Sequence, residues 1–373
     1  MNGYYWIYLA MLGFLFWYEF SRQPERKMLI YYAACGFLIL LYAVQDSSIS
    51  IDIAEYMRQY AIIPNLSFAQ MLTHKFEIGY VLLCWILDRL FESERVLVLA
   101  MALIILPLFA RSFRQETEDP MVALMAFLVL GMYLHAIVFW RQLAAMAILT
   151  FSYRYIRQRR LVPFLLVMLA AMCFHKTAVV FLGLYIIYNI PINKWLLAGC
   201  AVLSVVLGVF GKPIIRFGIA VIYPRYLTHP LQVMGGETLL ALLWAVTLLS
   251  YWVLKERLNE PAVRLPFLMI LIAATIQPIC FTFFWWLRIV LFFRIGLVPM
   301  TAVLYTAMFR DTENNRLLML IGGISPGVRE RVQGWYGKTW FRVATLLALF
   351  AVLFVWYVSE LEGGRYIMAP VTF

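Results

Sequence analysis

The chain has 373 residues, of which 64% are hydrophobic and only 14% charged, with a mean hydropathy of +0.83. A soluble domain runs at about 45–50% apolar and roughly 25% charged residues, so a soluble enzyme, a disordered chain and a disulfide scaffold are excluded. The net charge of +11 comes from 31 Lys and Arg against 20 Asp and Glu. In a chain this apolar, that excess reads as loops that orient helices and touch anionic lipid, with no call for nucleic acid.

The apolar residues fall into thirteen blocks: 4–20, 28–44, 78–91, 95–110, 121–140, 143–156, 161–175, 177–189, 195–210, 238–254, 265–284, 289–309 and 341–358. Most approach the roughly 20 residues that cross a bilayer, and helices satisfy their own backbone groups in lipid. The expected fold is all-α, a polytopic helical membrane protein of about 12–13 transmembrane helices, forming a single membrane domain over 1–373. The first block lacks a basic leader and reads as a span or anchor. The five cysteines, Cys35, Cys84, Cys173, Cys200 and Cys280, all lie in apolar blocks and form no C-x-x-C pair, so neither a disulfide framework nor a zinc site is indicated.

Three polar stretches, 45–77, 211–237 and 310–340, interrupt the blocks. The densest basic cluster, Arg154, Arg157, Arg159 and Arg160, marks a cytoplasmic loop. Counting from it places Arg111, Arg114, Lys255, Arg257, Arg264 and the 310–340 loop in the cytoplasm, with 211–237 outside. The loop holding Arg22, Arg26 and Lys27 joins the cytoplasmic side only if one block before Arg95 does not cross. The short block 78–91, with Asp88 and Arg89, is the expected partial element. Twelve crossings then remain, both termini lie outside, and so does 45–77. Within 45–77, Ile53, Tyr56, Met57, Tyr60 and Ile63 recur at helical spacing among Asp52, Glu55 and Arg58. That pattern predicts an amphipathic helix lying at the membrane surface.

Ionisable residues at membrane depth are costly and mark functional sites. Arg141-Gln142 lies between two apolar blocks with Ala144, Ala145 and Ala147 following, small residues that let helices approach closely. A snorkelling arginine at the membrane surface would look the same. His175-Lys176-Thr177 forms a tight polar turn between blocks. Its histidine is either a general base with a pKa near working pH or a hydrogen-bonded turn residue. Arg288 and Arg294 follow an aromatic run, Phe281, Phe283, Phe284, Trp285 and Trp286. On one helix they stand about 9 Å apart in height and roughly 120° apart around the axis, suited to gripping two parts of a diphosphate or to anchoring an aromatic belt. The 211–237 loop carries Lys212, Arg216, Tyr223, Arg225 and Tyr226, either a solvated loop or a sugar- and phosphate-binding surface. All of these basic residues are expected near outer helix ends, where the orientation rule disfavours them. A cationic outward cavity for an anionic ligand such as a lipid diphosphate accounts for their presence. The chain has no G-x-x-x-x-G-K-[ST], no H-E-x-x-H and no H-x-x-x-x-D. No cofactor and no metal is called for, and a reaction with a pre-activated donor is the simplest chemistry remaining.

The run RQLAAMAILTFSYRYIRQRRLVPFLLVMLAAMCFHKTAVVFL resembles the signature of the EpsG branch of Wzy-type polysaccharide polymerases: Arg141-Gln142, small residues, the basic turn at 157–160, then Phe174-His175. Upstream, Asp52, Tyr56 and Glu77-Ile78-Gly79-Tyr80 resemble the family's Asp-x-x-x-Tyr and Glu-x-Gly-Tyr features. Downstream, Arg225-Tyr226, Arg288 and Arg294 fit its outer-loop and late-arginine positions, and Tyr366 to Phe373 its Pro-containing tail. The 310–340 insert is longer than the pattern. The resemblance implies a GT-C-like fold at the bacterial cytoplasmic membrane with its active site facing the periplasm. It also implies transfer of a growing glycan from undecaprenyl diphosphate onto a new lipid-linked repeat unit of an O-antigen, exopolysaccharide or capsule. A flippase and a chain-length regulator of the same pathway would be its partners. In that scheme Arg141, Arg288 and Arg294 stabilise the leaving diphosphate. Gln142, Arg225, Tyr226 and Tyr56 bind substrate, and His175, with Asp52 or Glu77 as alternatives, deprotonates the acceptor hydroxyl. A lipid-linked oligosaccharide transporter and a glycan ligase are the competing functions.

Overall fold

The structure, a computed structural model, describes residues 2–45, 50–222, 236–311, 315–324, 326–336 and 338–362. All regular structure among them is helical. In chain order the helices are α1 (Asn2–Phe20), α2 (Pro24–Ala43), α3 (Ile51–Ile62), α4 (Phe68–Leu72), α5 (Ile78–Leu90), α6 (Arg95–Glu116) and α7 (Pro120–Val129). Then come α8 (Met132–Val138), α9 (Trp140–Leu149), α10 (Tyr153–Arg157), α11 (Leu161–Met172), α12 (Leu182–Ile187), α13 (Lys194–Ile222) and α14 (Glu237–Val253). The last are α15 (Pro261–Ile276), α16 (Leu287–Arg294), α17 (Leu297–Phe309), α18 (Arg316–Ile324), α19 (Pro326–Gln333) and α20 (Thr339–Glu362). The chain packs as two compact units, one of residues 1–179 and 301–373, the other of 180–300.

Six helical stretches among the described residues are long and apolar enough to cross a membrane: 24–43, 95–116, 194–217, 261–281, 287–309 and 339–359. The chain is therefore a polytopic helical membrane protein. The expected block 121–140 is broken into α7 and α8, bent by 63°. The bend falls on Gly131, whose φ of +76° is left-handed and whose missing Cβ leaves room for the Tyr357 ring. The blocks at 143–156, 161–175 and 177–189 form shorter pieces, α9 to α12, joined by 3-10 turns at 150–152 and 176–181.

In the first unit, buried tyrosines tie helix to helix. Tyr31 donates to the Ala110 carbonyl at 2.7 Å, Tyr42 to Ala136 at 2.8 Å and Tyr133 back to Leu38 at 2.8 Å. Each hydroxyl finds a backbone acceptor where water is absent. Ala144, Ala145 and Ala147 are fully buried, as their small size on α9 predicts. One end of this unit gathers the basic loops. Arg342 pairs with the buried Glu19 at 2.5 Å, Arg310 with the buried Asp119 at 3.0 Å, and Arg157 with Glu116. The ends of α1, α6, α10 and α17 and the starts of α7 and α20 therefore share that end, as the charge count requires of loops on one side. Arg141 begins α9 and so lies at the opposite end from Arg157. Because α6 runs 22 residues back to Glu116, α5 both starts and finishes at the Arg141 end. Such a course is the one expected of a block that does not cross. Within the 45–77 stretch the expected helix is α3, followed by a 3-10 turn at 63–65 and the short α4. On α3, Ile53, Tyr56, Gln59 and Tyr60 are buried while Ala54 and Arg58 face outward.

In the second unit, Arg264 of α15 is buried and fully engaged. It donates to the carbonyls of Tyr188 and Ile190, both at 2.7 Å, and to Asn259 at 2.9 Å. It holds the turn after α12, a structural duty rather than a site.

Candidate functional site

At the Arg141 end of the first unit, three separated stretches of sequence meet. Glu77 stands just before α5, at the position where a side chain usually caps its own helix, but it makes no capping bond. Its carboxylate turns away instead. It forms an ion pair with Arg141 at the start of α9 and accepts the backbone N–H of Lys176 at 3.1 Å. His175 Nδ1 lies 3.7 Å from the same carboxylate. Glu77, Arg141 and His175 are 12%, 13% and 9% exposed at their side chains, so the pair acts in a poorly screened setting.

The backbone explains how Glu77 reaches this place. The N–H groups of Gly79 and Tyr80, unpaired within their own helix, donate to the Cys173 carbonyl at 2.8 and 3.3 Å. A Cβ on residue 79 would lie 2.7 Å from that oxygen and 2.9 Å from the Cys173 Cβ. Only glycine lets α5 close on α11 and bring Glu77 beneath His175. This gives the Glu-Ile-Gly-Tyr sequence its physical meaning. Gly79→Ala is expected to force the two elements apart and to lower stability by about 1–3 kcal/mol, as overpacking does. Thermal unfolding of the solubilised protein measures it, and an unchanged melting temperature would refute the close-approach argument.

An aromatic wall surrounds the arginine. The Arg141 guanidinium sits 4.0 Å from the Phe76 ring centre and 5.7 Å from that of Tyr56. Tyr56 stacks on Trp140 with ring centres 5.1 Å apart, and Phe76 and Tyr80 complete the cluster. Asp52 lies one helical turn before Tyr56 on the same side of α3, and Gln142 follows Arg141 with its side chain buried. The sequence pointed to Tyr56, Glu77, Arg141, Gln142 and His175, and the structure gathers Tyr56, Glu77, Arg141 and His175 around one spot. It also brings Tyr80 of the Glu-Ile-Gly-Tyr run to the wall, and adds Phe76 and Trp140, which apolar periodicity reads as plain core. Their adjacency to Glu77 and Arg141 was the available signal.

A second layer locks α3 onto this wall. Glu55 pairs with Lys75 and, at 2.7 Å, with Arg58, and His74 Nε2 meets Gln59 at 3.0 Å. The hydrogen bond from Lys75, supported by Arg58, holds the Glu55 carboxyl below its usual range. Burial pushes the His74 imidazole down, and Lys75 and Arg141 push it the same way, so His74 stays neutral beside them.

Arg288 and Arg294 belong to the second unit. Arg288 lies 4.8 Å from the Trp285 ring centre, whereas Arg294, the last residue of α16, is fully buried. Arg225, Tyr226 and the tail 366–373 lie outside the described residues.

No curated protein and no solved structure matches the chain. Residues 2–322 match the EpsG family. That span takes in Glu77-Ile78-Gly79-Tyr80, Arg141-Gln142, His175 and both late arginines, and it stops short of α19, α20 and the Pro-containing tail. With nearly nine-tenths of its length covered, the chain belongs to the EpsG family.

Proposed function

We propose that the chain is a membrane polymerase joining lipid-linked oligosaccharide repeat units into a surface polysaccharide, with undecaprenyl diphosphate as the leaving group. Family membership supports a polysaccharide-polymerase type of function. The observation that carries the site assignment is Arg141: a largely buried guanidinium that meets a carboxylate through Nη1 while its buried Nε has no hydrogen-bond partner among the described residues. Donors left unspent beside a base suit phosphate oxygens.

In the proposed step, the acceptor sugar hydroxyl attacks the anomeric carbon of the donor glycan. A new C–O bond forms as the bond to the diphosphate breaks. The hydroxyl proton passes to His175, with Asp52 or Glu77 as the alternative acceptors. The electron pair of the broken bond leaves on the diphosphate, whose charge Arg141 meets. Arg288 and Arg294 are proposed as further anion-binding groups carried by the second unit, and Tyr56 and its aromatic neighbours as a sugar-stacking surface. The donor is already activated, so the scheme calls for no metal. The basic loops at the opposite end of the first unit support a cytoplasmic assignment for that end. The site then faces the outer side of the bacterial cytoplasmic membrane, in an architecture resembling GT-C transferases, beside the flippase and chain-length regulator of its pathway.

The test is the purified chain in lipid vesicles with a lipid-linked repeat unit. A ladder of longer glycans on the lipid is expected. Translocation without elongation would instead make the protein a transporter, and transfer only to an unrelated acceptor a ligase.

A further inference from the structure

The Glu77 carboxylate is shared. One oxygen meets Arg141, and the other accepts the Lys176 N–H at 3.1 Å and lies 3.7 Å from His175 Nδ1. Arg141 and Glu77 are both nearly buried, so each needs a counter-charge at all times. An anion arriving at Arg141 supplies one for the arginine and leaves Glu77 to find another. Among the described residues, the other titratable cation candidate on that carboxylate is the His175 ring, already on its far oxygen. Lys176 touches it through its backbone N–H. Of the other charged groups around it, Lys75 pairs with Glu55 on α3, and His74 is held by Gln59.

Resting on the function proposed above, we propose that Glu77 is an exchangeable counter-ion that couples donor binding to base activation. In the empty site it neutralises Arg141. When a polyprenyl diphosphate binds, the phosphate oxygens take over the Arg141 fork, and the Glu77 carboxylate shifts its pairing to His175 Nδ1. There it orients the ring and stabilises the imidazolium that forms as the acceptor proton arrives, in the way a carboxylate supports a histidine base. His175 then becomes a strong base only in the donor-loaded enzyme, where the acceptor hydroxyl is the group awaiting deprotonation. Glu77 is a positioning residue in this scheme. Gly79 serves it by letting α5 approach Cys173 closely enough for one carboxylate to reach both partners.

The scheme makes binding and turnover respond in opposite directions. Glu77→Gln keeps an acceptor for the Lys176 N–H but removes the competing charge from Arg141 and the supporting charge from His175. Its affinity for farnesyl diphosphate, measured on the full chain in nanodiscs, is expected to rise about tenfold, the factor of one modest ion pair. Its elongation rate is expected to fall about 10²-fold or more. The acidic limb of its rate profile is expected to move to lower pH, because His175 no longer gains a nearby negative charge. A merely structural role for Glu77 would weaken binding and turnover together and leave the pH limb in place, and that result overturns the proposal.

Arg141→Gln separates this failure from failure of the underlying reading. If Arg141→Gln loses farnesyl diphosphate binding while Glu77→Gln gains none, the diphosphate site stands and the exchange is wrong. If Arg141→Gln binds like wild type, the diphosphate assignment itself is wrong. Glu77→Asp, which keeps the charge but shortens its reach, serves where the Gln variant does not accumulate. It is expected to shift both readouts in the same directions by smaller factors, and parallel losses in binding and turnover would overturn the proposal equally.

Discussion

Arg141→Ala is expected to abolish glycan elongation, lowering the rate by about 10²–10³-fold or more, the usual consequence of removing one preorganised donor from a developing anion. Two features of the site make this the largest effect in the first unit. The guanidinium is 13% exposed, so water cannot replace it as a counter-charge, and it is fixed from below by the Phe76 ring at 4.0 Å. The alanine variant also strands Glu77 as a buried carboxylate, which costs stability as well as chemistry. Arg141→Lys separates the two. Lysine retains the charge that Glu77 needs but not the planar fork that matches phosphate oxygens. A folded Lys variant with elongation still reduced tenfold or more would assign the loss to phosphate recognition. Polymers of normal length from the Ala variant, at normal protein levels, would remove Arg141 from the active site. Polymer length on a gel and the rate with the purified lipid-linked repeat are the two measurements.

The fold class was legible because bilayer physics writes itself into composition: apolar blocks of near-span length have few alternatives. What periodicity could not show was where blocks break. The 121–140 run is uniformly apolar, and its 63° bend rests on one glycine whose conformation answers to Tyr357, more than two hundred residues away. The site was partly legible for a related reason. Arg141 and His175 stood out as polar residues in apolar surroundings and Glu77 through the family resemblance, but their meeting depends on the Gly79–Cys173 backbone contact, a long-range event that no local pattern encodes. Phe76 and Trp140 were hidden because an aromatic that lines a site and one that fills a core look the same in sequence. The shared carboxylate was hidden because spacing shows which residues are near in the chain, not which atoms compete for one charge.

Arg294→Met is expected to reduce elongation by at least 10²-fold, a loss exceeding any accompanying fall in stability. Arg294 closes α16 inside the apolar stretch 287–309 and is fully buried. An arginine there costs several kcal/mol of desolvation unless the protein uses its charge. Arg264 is a second buried arginine in the same unit, donating to the Tyr188 and Ile190 carbonyls and to Asn259 and so holding a turn in place. Methionine approximates the length of the arginine stem without charge. If Arg294 does what Arg264 does, Arg294→Met lowers the melting temperature, and activity falls only in step with the folded fraction. If Arg294 serves an anionic substrate, the folded fraction stays high while elongation collapses, and Arg294→Lys recovers part of it by restoring the charge. Arg288→Gln is the internal comparison. Arg288 lies over the Trp285 ring at 4.8 Å and is only partly buried, so its charge is better screened and its loss is expected to cost roughly tenfold or less. A ranking in which Arg288→Gln is the more damaging change, or in which Arg294→Met makes polymers of normal length, would place the anion-binding role of the second unit elsewhere than on Arg294.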